Sequence, residues 1–532
     1  MICTQKYMAK VKTSVVFKQH HQQQNLLLPP SLDELIGKHH LVRVVNEVVE
    51  TMDLSDLINL YQGGGTSAYH PRMLLKVLLY AYSVKIYTGR KIAKAITQDI
   101  HFMWLSGMSR PDFRTINSFR SSKAKEVIEV LFKEMLEFLM AHNYIKLENY
   151  FCDGSTFRAD ANQHKMVWKK NAERHQAGAE EKCRELFKEI ENLNASEEKA
   201  YGTSDLEENG EATSITREAI TEQVSKLNEK LKKVSDKRTL NKGRSIERKL
   251  EETAGRIAKY EDQKAKAGKR SGYNKTDVDA SAMRMKNKVE VLPAYNAMAG
   301  CEDQYITGVS VHQNGNDGAC LEEHLKQVAV QQPLQPKRII ADSIFGTEQN
   351  YELIQGLELE NFMKFPTFHK EESKKSWSDP FLKDNFAYDK LTDTYRCPNE
   401  QDLRLKRTYE SEGKRNGYKS LLKEYECSSC SGCPFYKQCC KSEKGANRTI
   451  IINEKLEKYK QQARQNLKSE PGQALRKRRS IEIESCFGDI KHNMSFRRFH
   501  LRGLQKVKTE FTLIAMAHNL RKVGLNNMKK AA

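Results

Sequence analysis

The chain runs to 532 residues, more than one ordinary hydrophobic core organises, so several domains or one domain with large insertions are expected. Lysine and arginine number 89 against 69 acids, a formal net charge of +20, which points to a polyanionic partner and first of all to nucleic acid. No membrane span is expected: the longest apolar stretches, 73–83 and 511–518, fall short of the ~20 residues a bilayer requires, and residues 1–24 lack a secretion signal's apolar segment, so the expected location is the cytoplasm.

Residues 1–30 read as a flexible N-terminus, Gln-rich around Gln19–Gln24 and closing on Pro29 and Pro30. Ser31-Leu32-Asp33-Glu34 carries the start signal of a capped helix. Pro71 stands where a first helical residue would, and Met73–Leu79 spells a buried helix. Shorter helices are predicted at Lys91–Gln98 and Ile100–Ser106. Arg110-Pro111-Asp112 breaks the chain, Thr115–Arg120 opens another helix, and Glu126–Met140 is amphipathic. Short helices and tight turns over 31–145 suit a helix-turn-helix-like DNA-binding domain; a purely structural bundle is the plainer alternative. Arg114 and Arg120 are its expected DNA contacts.

Residues 148–157 switch to strand character, and a highly charged stretch follows. Ile220, Val224, Leu227, Leu231 and Val234 alternate spacings of 4 and 3, as do Ile246, Leu250, Thr253, Ile257 and Tyr260. They predict an antiparallel helical hairpin inserted over 170–270, turning at Asp236–Gly243, with an acidic loop near Ser204–Thr213. Strands return at Val289–Tyr295 and Gln304–His312 around a turn at Met298–Asp303. A helix at Ala319–Val330, a strand at Arg338–Ala341, a helix at Glu348–Gln355 and a strand at Asn361–Phe365 follow. Residues 366–475 form a second, Cys-rich insertion, and 476–532 supply basic final helices. The order strand, strand, strand, helix, strand, helix, strand, late helix is that of a ribonuclease H-like α/β fold with a mixed sheet, here split between 146–365 and 476–532. That fold carries acids on its first strand, just past its fourth strand and on its late helix. Asp153, Asp342 and Glu484 fall at those places.

Cleaving a phosphodiester needs an activated oxygen nucleophile and relief of charge on the leaving oxygen, which two divalent ions supply. Mg²⁺ or Mn²⁺ needs few ligands beyond such carboxylates, with Asp153 bridging both ions. Gly154 and Gly346 let backbone pass close to metal or phosphate. Lys491 lies seven residues after Glu484, on the same helix face, within reach of a DNA phosphate. Residues 470–532 hold 14 Lys/Arg against 5 Asp/Glu. Arg478, Arg479, Arg497 and Arg498 bracket Glu484 and are expected to hold DNA backbone; Phe496 and Phe499 between them are expected to pack in the core. Of twelve cysteines, half fall between Cys397 and Cys440. Cys397, Cys430, Cys433 and Cys439 have the spacing of a structural Zn²⁺ site, with a thiol or disulfide cluster as the alternative.

Several blocks together resemble bacterial insertion-sequence transposases of the DDE type. Tyr69–Lys76 and Asp99–Phe119, including Pro111-Asp112-Phe113-Arg114-Thr115-Ile116, look like that family's N-terminal helical domain. Phe151–Thr156, Thr276–Ala280, Ala341–Tyr351 and Ile483–Lys491 look like its catalytic blocks. The resemblance covers residues 25–525. It implies a ribonuclease H-like core and a catalytic triad of Asp153, Asp342 and Glu484. It further implies metal-dependent DNA cleavage and strand transfer at inverted repeats, and a synaptic homodimer on element ends and target DNA. A catalytically inactive, transposase-derived DNA-binding protein is the alternative. One departure stands out. Relatives often carry Tyr and Arg at spacings that here fall on Lys477 and Ser480, with Arg479 adjacent. Glu482 also lies close, and Glu484 is preferred for its register with Phe487-Gly488.

Overall fold

The computed structural model describes residues 30–61, 67–201, 217–231, 237–285, 290–372, 379–413, 417–440 and 445–531. Ser31 and Glu34 do make the reciprocal bonds of a cap: Glu34 N donates to Ser31 Oγ at 3.3 Å, and Ser31 Oγ donates to Glu34 Oε1 at 3.1 Å. Only turns follow, because Ile36 is the one buried residue over 31–39 and no apolar stripe exists to bury. The first helix, α1 (Leu41–Thr51), is capped by His40 and buries Val42, Val44, Val45, Val48 and Val49. There follow α2 (Ser55–Asn59), α3 (Pro71–Ser83), α4 (Gly89–Gln98), α5 (Ile100–Ser106), α6 (Phe113–Ser118) and α7 (Ala124–Ala141). Pro71 is the first residue of α3, which is buried on nearly all sides.

The sheet begins with β1 (Asn149–Arg158). A small ladder of β2 (Met166–Trp168) and β3 (Gly272–Asn274) forms the neck of the first insertion, whose helices are α8 (Lys169–Tyr201), α9 (Arg217–Leu231) and α10 (Lys237–Ala267). The predicted stripes of α9 and α10 do meet, Ile220 and Leu227 packing with Ile246, Leu250 and Ile257. The insertion is not a simple hairpin, however: α8 adds Ala179, Cys183, Leu186, Phe187 and Ile190 to that core. The turn expected at Asp236–Gly243 is helical from Lys237 onward. Val234, Asp236, the Ser204–Thr213 loop and residues 1–29 lie outside the described residues.

Next come β4 (Ser281–Arg284), β5 (Val291–Glu302) and β6 (Tyr305–His312). The turn is not at Met298–Asp303. It is Asp303-Gln304, with φ of 49° and 61°, the two positive values that a tight two-residue hairpin requires. Gly300, a turn signal in sequence, lies mid-strand because the Tyr150 ring crosses it, leaving no room for a Cβ. Then follow α11 (Asp317–Gln331), β7 (Arg338–Ala341), α12 (Glu348–Gly356) and β8 (Glu360–Asn361). Glu360 and Asn361 form the ladder proper, and Phe362 N and Lys364 N extend it with single bonds to Ile339 O (2.9 Å) and Ala341 O (3.4 Å) of β7.

β1 lies centrally in this mixed sheet. It pairs antiparallel with β5 and parallel with β7, which pairs parallel with β8, while β4 and β6 share the far edge of β5. After α13 (Phe368–Glu371), the second insertion is an antiparallel sheet of β9 (Ala387–Asp389), β10 (Thr394–Arg396), β11 (Asp402–Glu412), β12 (Lys419–Cys427) and, past α14 (Tyr436–Cys439), β13 (Thr449–Ile452). Its small core holds Phe386, Leu403, Tyr425, Cys427, Ile450 and Ile452. α15 (Glu454–Lys468) returns to the main core through Ala463 and Leu467. The chain ends with α16 (Glu470–Arg479), α17 (Ser485–Gly488) and α18 (Leu504–Ala531), with π-helical turns at Ser480–Glu484 and Asp489–Asn493 flanking α17.

α18 packs on β6 on one side and on α1, α3 and α7 on the other. One apolar cluster therefore runs from Ile36 through the sheet to Val523. No helix among the described residues is long and apolar enough to cross a membrane.

Candidate active site

Asp153 sits on β1, on the face shared with Phe151, Ser155 and Phe157 by strand alternation. The C-terminal segment crosses that face. Arg478 lies over the Phe151 ring at 5.5 Å, and Lys491 Nζ lies 4.4 Å from the Phe157 ring centre. Lys491 also donates to Ser155 Oγ (2.6 Å) and Thr156 O (3.0 Å), bracing the strand just beyond Asp153. Asp342 follows β7, which runs parallel beside β1, and its Oδ1 accepts from Ser343 N at 2.7 Å to cap a short helical turn. Glu484 closes the first π-helical turn.

These three carboxylates meet at Arg479. Its Nη1 lies 3.9 Å from Asp153 Oδ2, and its Nη2 lies 3.6 Å from Asp342 Oδ2 and 3.4 Å from Glu484 Oε1. The arginine side chain is only 12% exposed, while Asp342 and Glu484 keep 43% and 55% of theirs open to solvent. Nη1 is buried without a hydrogen bond, so ionic attraction alone holds it. The π-helical turn accounts for the sequence departure. In a π-helix residues five apart align, so Arg479, five before Glu484, takes the neighbouring place that a residue four before would hold in an α-helix. Glu482 points elsewhere: it is buried, and accepts from Gln304 N and Arg478 Nη2, each at 2.6 Å.

The space beside the two site glycines is filled by protein, not left for metal or phosphate. A Cβ on Gly154 would collide with the Asp317 carboxylate, which Asn296 Nδ2 holds at 2.6 Å. One on Gly346 would strike the backbone at Lys364 and Phe365. Lys364 itself was not singled out in the sequence. Its backbone N donates to Ala341 O at 3.4 Å, next to Asp342, and burial followed by the nearby Arg479 charge holds its amine below the usual lysine range. The signal was a lone lysine within the apolar run 362–365.

The expected DNA contacts divide. Arg114 is exposed, its guanidinium 5.7 Å from the Phe113 ring. Arg497 is exposed and donates to Lys491 O at 3.0 Å. Arg498 pairs with Asp160, as does Arg502, and Arg478 pairs with Asp303 as well as Glu482. Arg120 is a correction. It is 3% exposed, and its guanidinium donates to Tyr82 Oη (2.8 Å), Tyr87 O (2.7 Å) and Asn117 Oδ1 (3.2 Å), so it faces the core and not DNA. Phe496 and Phe499 are buried against Phe157.

Cys397, Cys430, Cys433 and Cys439 line one small pocket together with Cys427, Cys440 and Arg448. The thiols make ordinary contacts there: Cys430 Sγ accepts from Arg448 N at 3.3 Å, and Cys440 Sγ donates to Ala446 O at 3.4 Å. Burial pushes the Cys427 thiol up to about 12. Among the described residues the cysteines form no disulfide. Nor do any three His, Cys, Asp or Glu side chains among the described residues stand close enough about one point to hold a metal ion.

Residues 396–524 match the family described as Transposase DDE domain, and residues 30–122 match the family described as Transposase domain (DUF772). No curated protein and no solved structure matches the chain. Glu484, Arg479 and Lys491 lie within the first matched segment; Asp153 and Asp342 lie outside both and are brought to it by the sheet.

Proposed function

We propose that this chain, which carries a transposase DDE domain and a transposase N-terminal domain, is a DNA transposase that binds terminal inverted repeats and performs metal-dependent strand cleavage and strand transfer. The observation that carries the reading is the convergence of Asp153, Asp342 and Glu484, from distant parts of the chain, on one guanidinium. The strand order, with β1 between β5 and β7, supports a ribonuclease H-like core.

The donor set fits Mg²⁺ or Mn²⁺: three hard carboxylate oxygens, two of the side chains open to solvent. Bound there, divalent ions would activate a water and offset charge on the leaving oxygen. Asp153, Asp342 and Glu484 would hold them. Arg479 balances the three carboxylates and, turned outward, has a fork suited to a phosphate. Lys491 fixes the strand that carries Asp153 and brings a positive charge to the DNA backbone. The chain's contribution is thus position and charge for an in-line displacement, first by water and then by the freed 3′-hydroxyl. A synaptic homodimer would hold both element ends.

Incubation of the full chain with labelled element ends, a target plasmid and Mg²⁺ or Mn²⁺ tests this. Cleavage with joining is expected. Cleavage alone would indicate a plain nuclease, and binding alone an inactive DNA-binding derivative. Asp153→Ala, Asp342→Ala and Glu484→Ala should each abolish cleavage; full activity in any of them overturns the triad.

The Cys-rich insertion is proposed to be stapled by Zn²⁺ through Cys397, Cys430, Cys433 and Cys439, supported by their convergence on one pocket beneath a small apolar core. Zinc in freshly purified, reduced protein is expected by metal analysis; its absence would sink the staple.

A further inference from the structure

Beside the acids lies a cleft of about 450 Å³ lined by Lys364, Glu372, Lys468, Gln473, Arg476 and Lys477. Two of its elements lead to the candidate site. Lys364 adjoins Asp342 through the β7 backbone, and Arg476 and Lys477 precede Arg479 on α16. Four cationic side chains face one carboxylate, and that carboxylate is already engaged: Glu372 receives Arg476 through both oxygens, at 3.2 and 3.1 Å. Lys468 and Lys477 are exposed, and among the described residues neither amine has a hydrogen-bond or carboxylate partner. Lys364 Nζ has only His369 Nε2, at 3.4 Å, as a hydrogen-bonding neighbour among them.

We propose that this cleft holds the sugar–phosphate backbone of the DNA strand leading to the scissile bond, with Lys364, Lys468 and Lys477 on its phosphates and Gln473 as a neutral donor. The proposal rests on the transposase reading and assigns that enzyme a strand path. Its chemistry selects backbone over bases. Lysine is a point charge without the planar fork that reads a base edge. Among the described residues no aromatic ring lines the cleft to stack on a base. Clustered, unpaired lysines in an open groove are instead what releases counterions from a phosphate backbone.

The test is DNA binding by the full chain, measured by fluorescence anisotropy on a labelled duplex across a salt series without divalent metal. The double variant Lys468→Ala/Lys477→Ala removes two contacts, and both side chains are exposed, so folding is untouched. Each lost phosphate contact flattens the slope of log K against log salt by about 0.9, so the variant's slope should be smaller by about 1.8. A control, Lys249→Ala/Lys259→Ala, removes two exposed lysines of α10 and should keep the parental slope. A parental slope in the cleft variant, or an equal fall in the control, overturns the cleft while leaving the transposase reading in place. Absence of salt-dependent DNA binding by the unchanged chain would overturn both.

Discussion

Arg479 is the residue on which the candidate site turns. Three carboxylates drawn together without a cation repel one another, and a unit charge pair ~4 Å apart at a protein surface is worth up to about 4 kcal/mol. Its guanidinium stands where added positive charge would otherwise be welcomed. Arg479→Gln should therefore raise the affinity for Mn²⁺ by roughly tenfold, about 1.4 kcal/mol, in a calorimetric titration; unchanged or weaker Mn²⁺ binding would mean the arginine does not compete. Glu482 and Glu484 make a second, paired prediction. Glu482 is buried on a backbone N–H and an arginine, so Glu482→Ala should cost about 2–3 kcal/mol of stability. Glu484 is half exposed, so Glu484→Ala should leave the unfolding midpoint almost unmoved while cleavage is lost. Denaturant titration beside a cleavage assay checks both, and the reverse pattern would exchange their roles.

Among the elements, what could be read in the sequence followed how local the cause was. Arg338–Ala341 is a short apolar run between Pro336 and Asp342, and β7 has those bounds. The helices Ile100–Ser106 and Pro71–Ser83 follow from caps and apolar content. α1 is rich in valine, which favours strands; only packing against α3 and α18 makes it helical. The π-helical turn carries no mark in composition, so the spacing from Arg479 to Glu484 looks one residue too long until the backbone is seen. Asp153 and Asp342 were legible because each is fixed by its own strand. Arg120 was not, because nothing local separates a buried arginine from a surface one. The second π-helical turn and α18 meet at His518, whose ring donates from Nδ1 to Asp489 Oδ2 (2.8 Å) and from Nε2 to Gln304 O (3.0 Å), a geometry that wants imidazolium. Burial opposes the charge, but the bonded Asp489 carboxylate and the Cys486 sulfur beside the ring outweigh it and raise the ring to about 10. A folded-state value raised above the ordinary 6.5 adds stability that is complete below 6.5 and fades as pH climbs through about 10. The stability gap between the parent and His518→Gln should thus be widest below pH 6.5 and narrow toward pH 10 in thermal unfolding; a gap that widens would show the ring to be neutral.

For the whole molecule, the parts separate by how they are attached. The N-terminal helices share a core with the sheet through α18, and Arg120, Tyr82 and Glu510 tie the same junction with polar bonds. The first insertion is attached quite differently. Trp168 pairs with Gly272, and Lys169 N still donates to Ser271 O at 2.9 Å, so the chain leaves and re-enters at neighbouring points. Replacing residues 170–270 by an Asn-Gly turn should therefore leave the main core folded, with a cooperative unfolding midpoint within a few degrees of the parent; loss of that transition would show that the core leans on the insertion. Topologically everything beyond that neck is one loop, however long and however ordered, and closure entropy rises only with the logarithm of loop length. Lineages of this protein are therefore free to lengthen, trim or exchange that segment as a cassette while the spacing of the three acids stays where the sheet sets it.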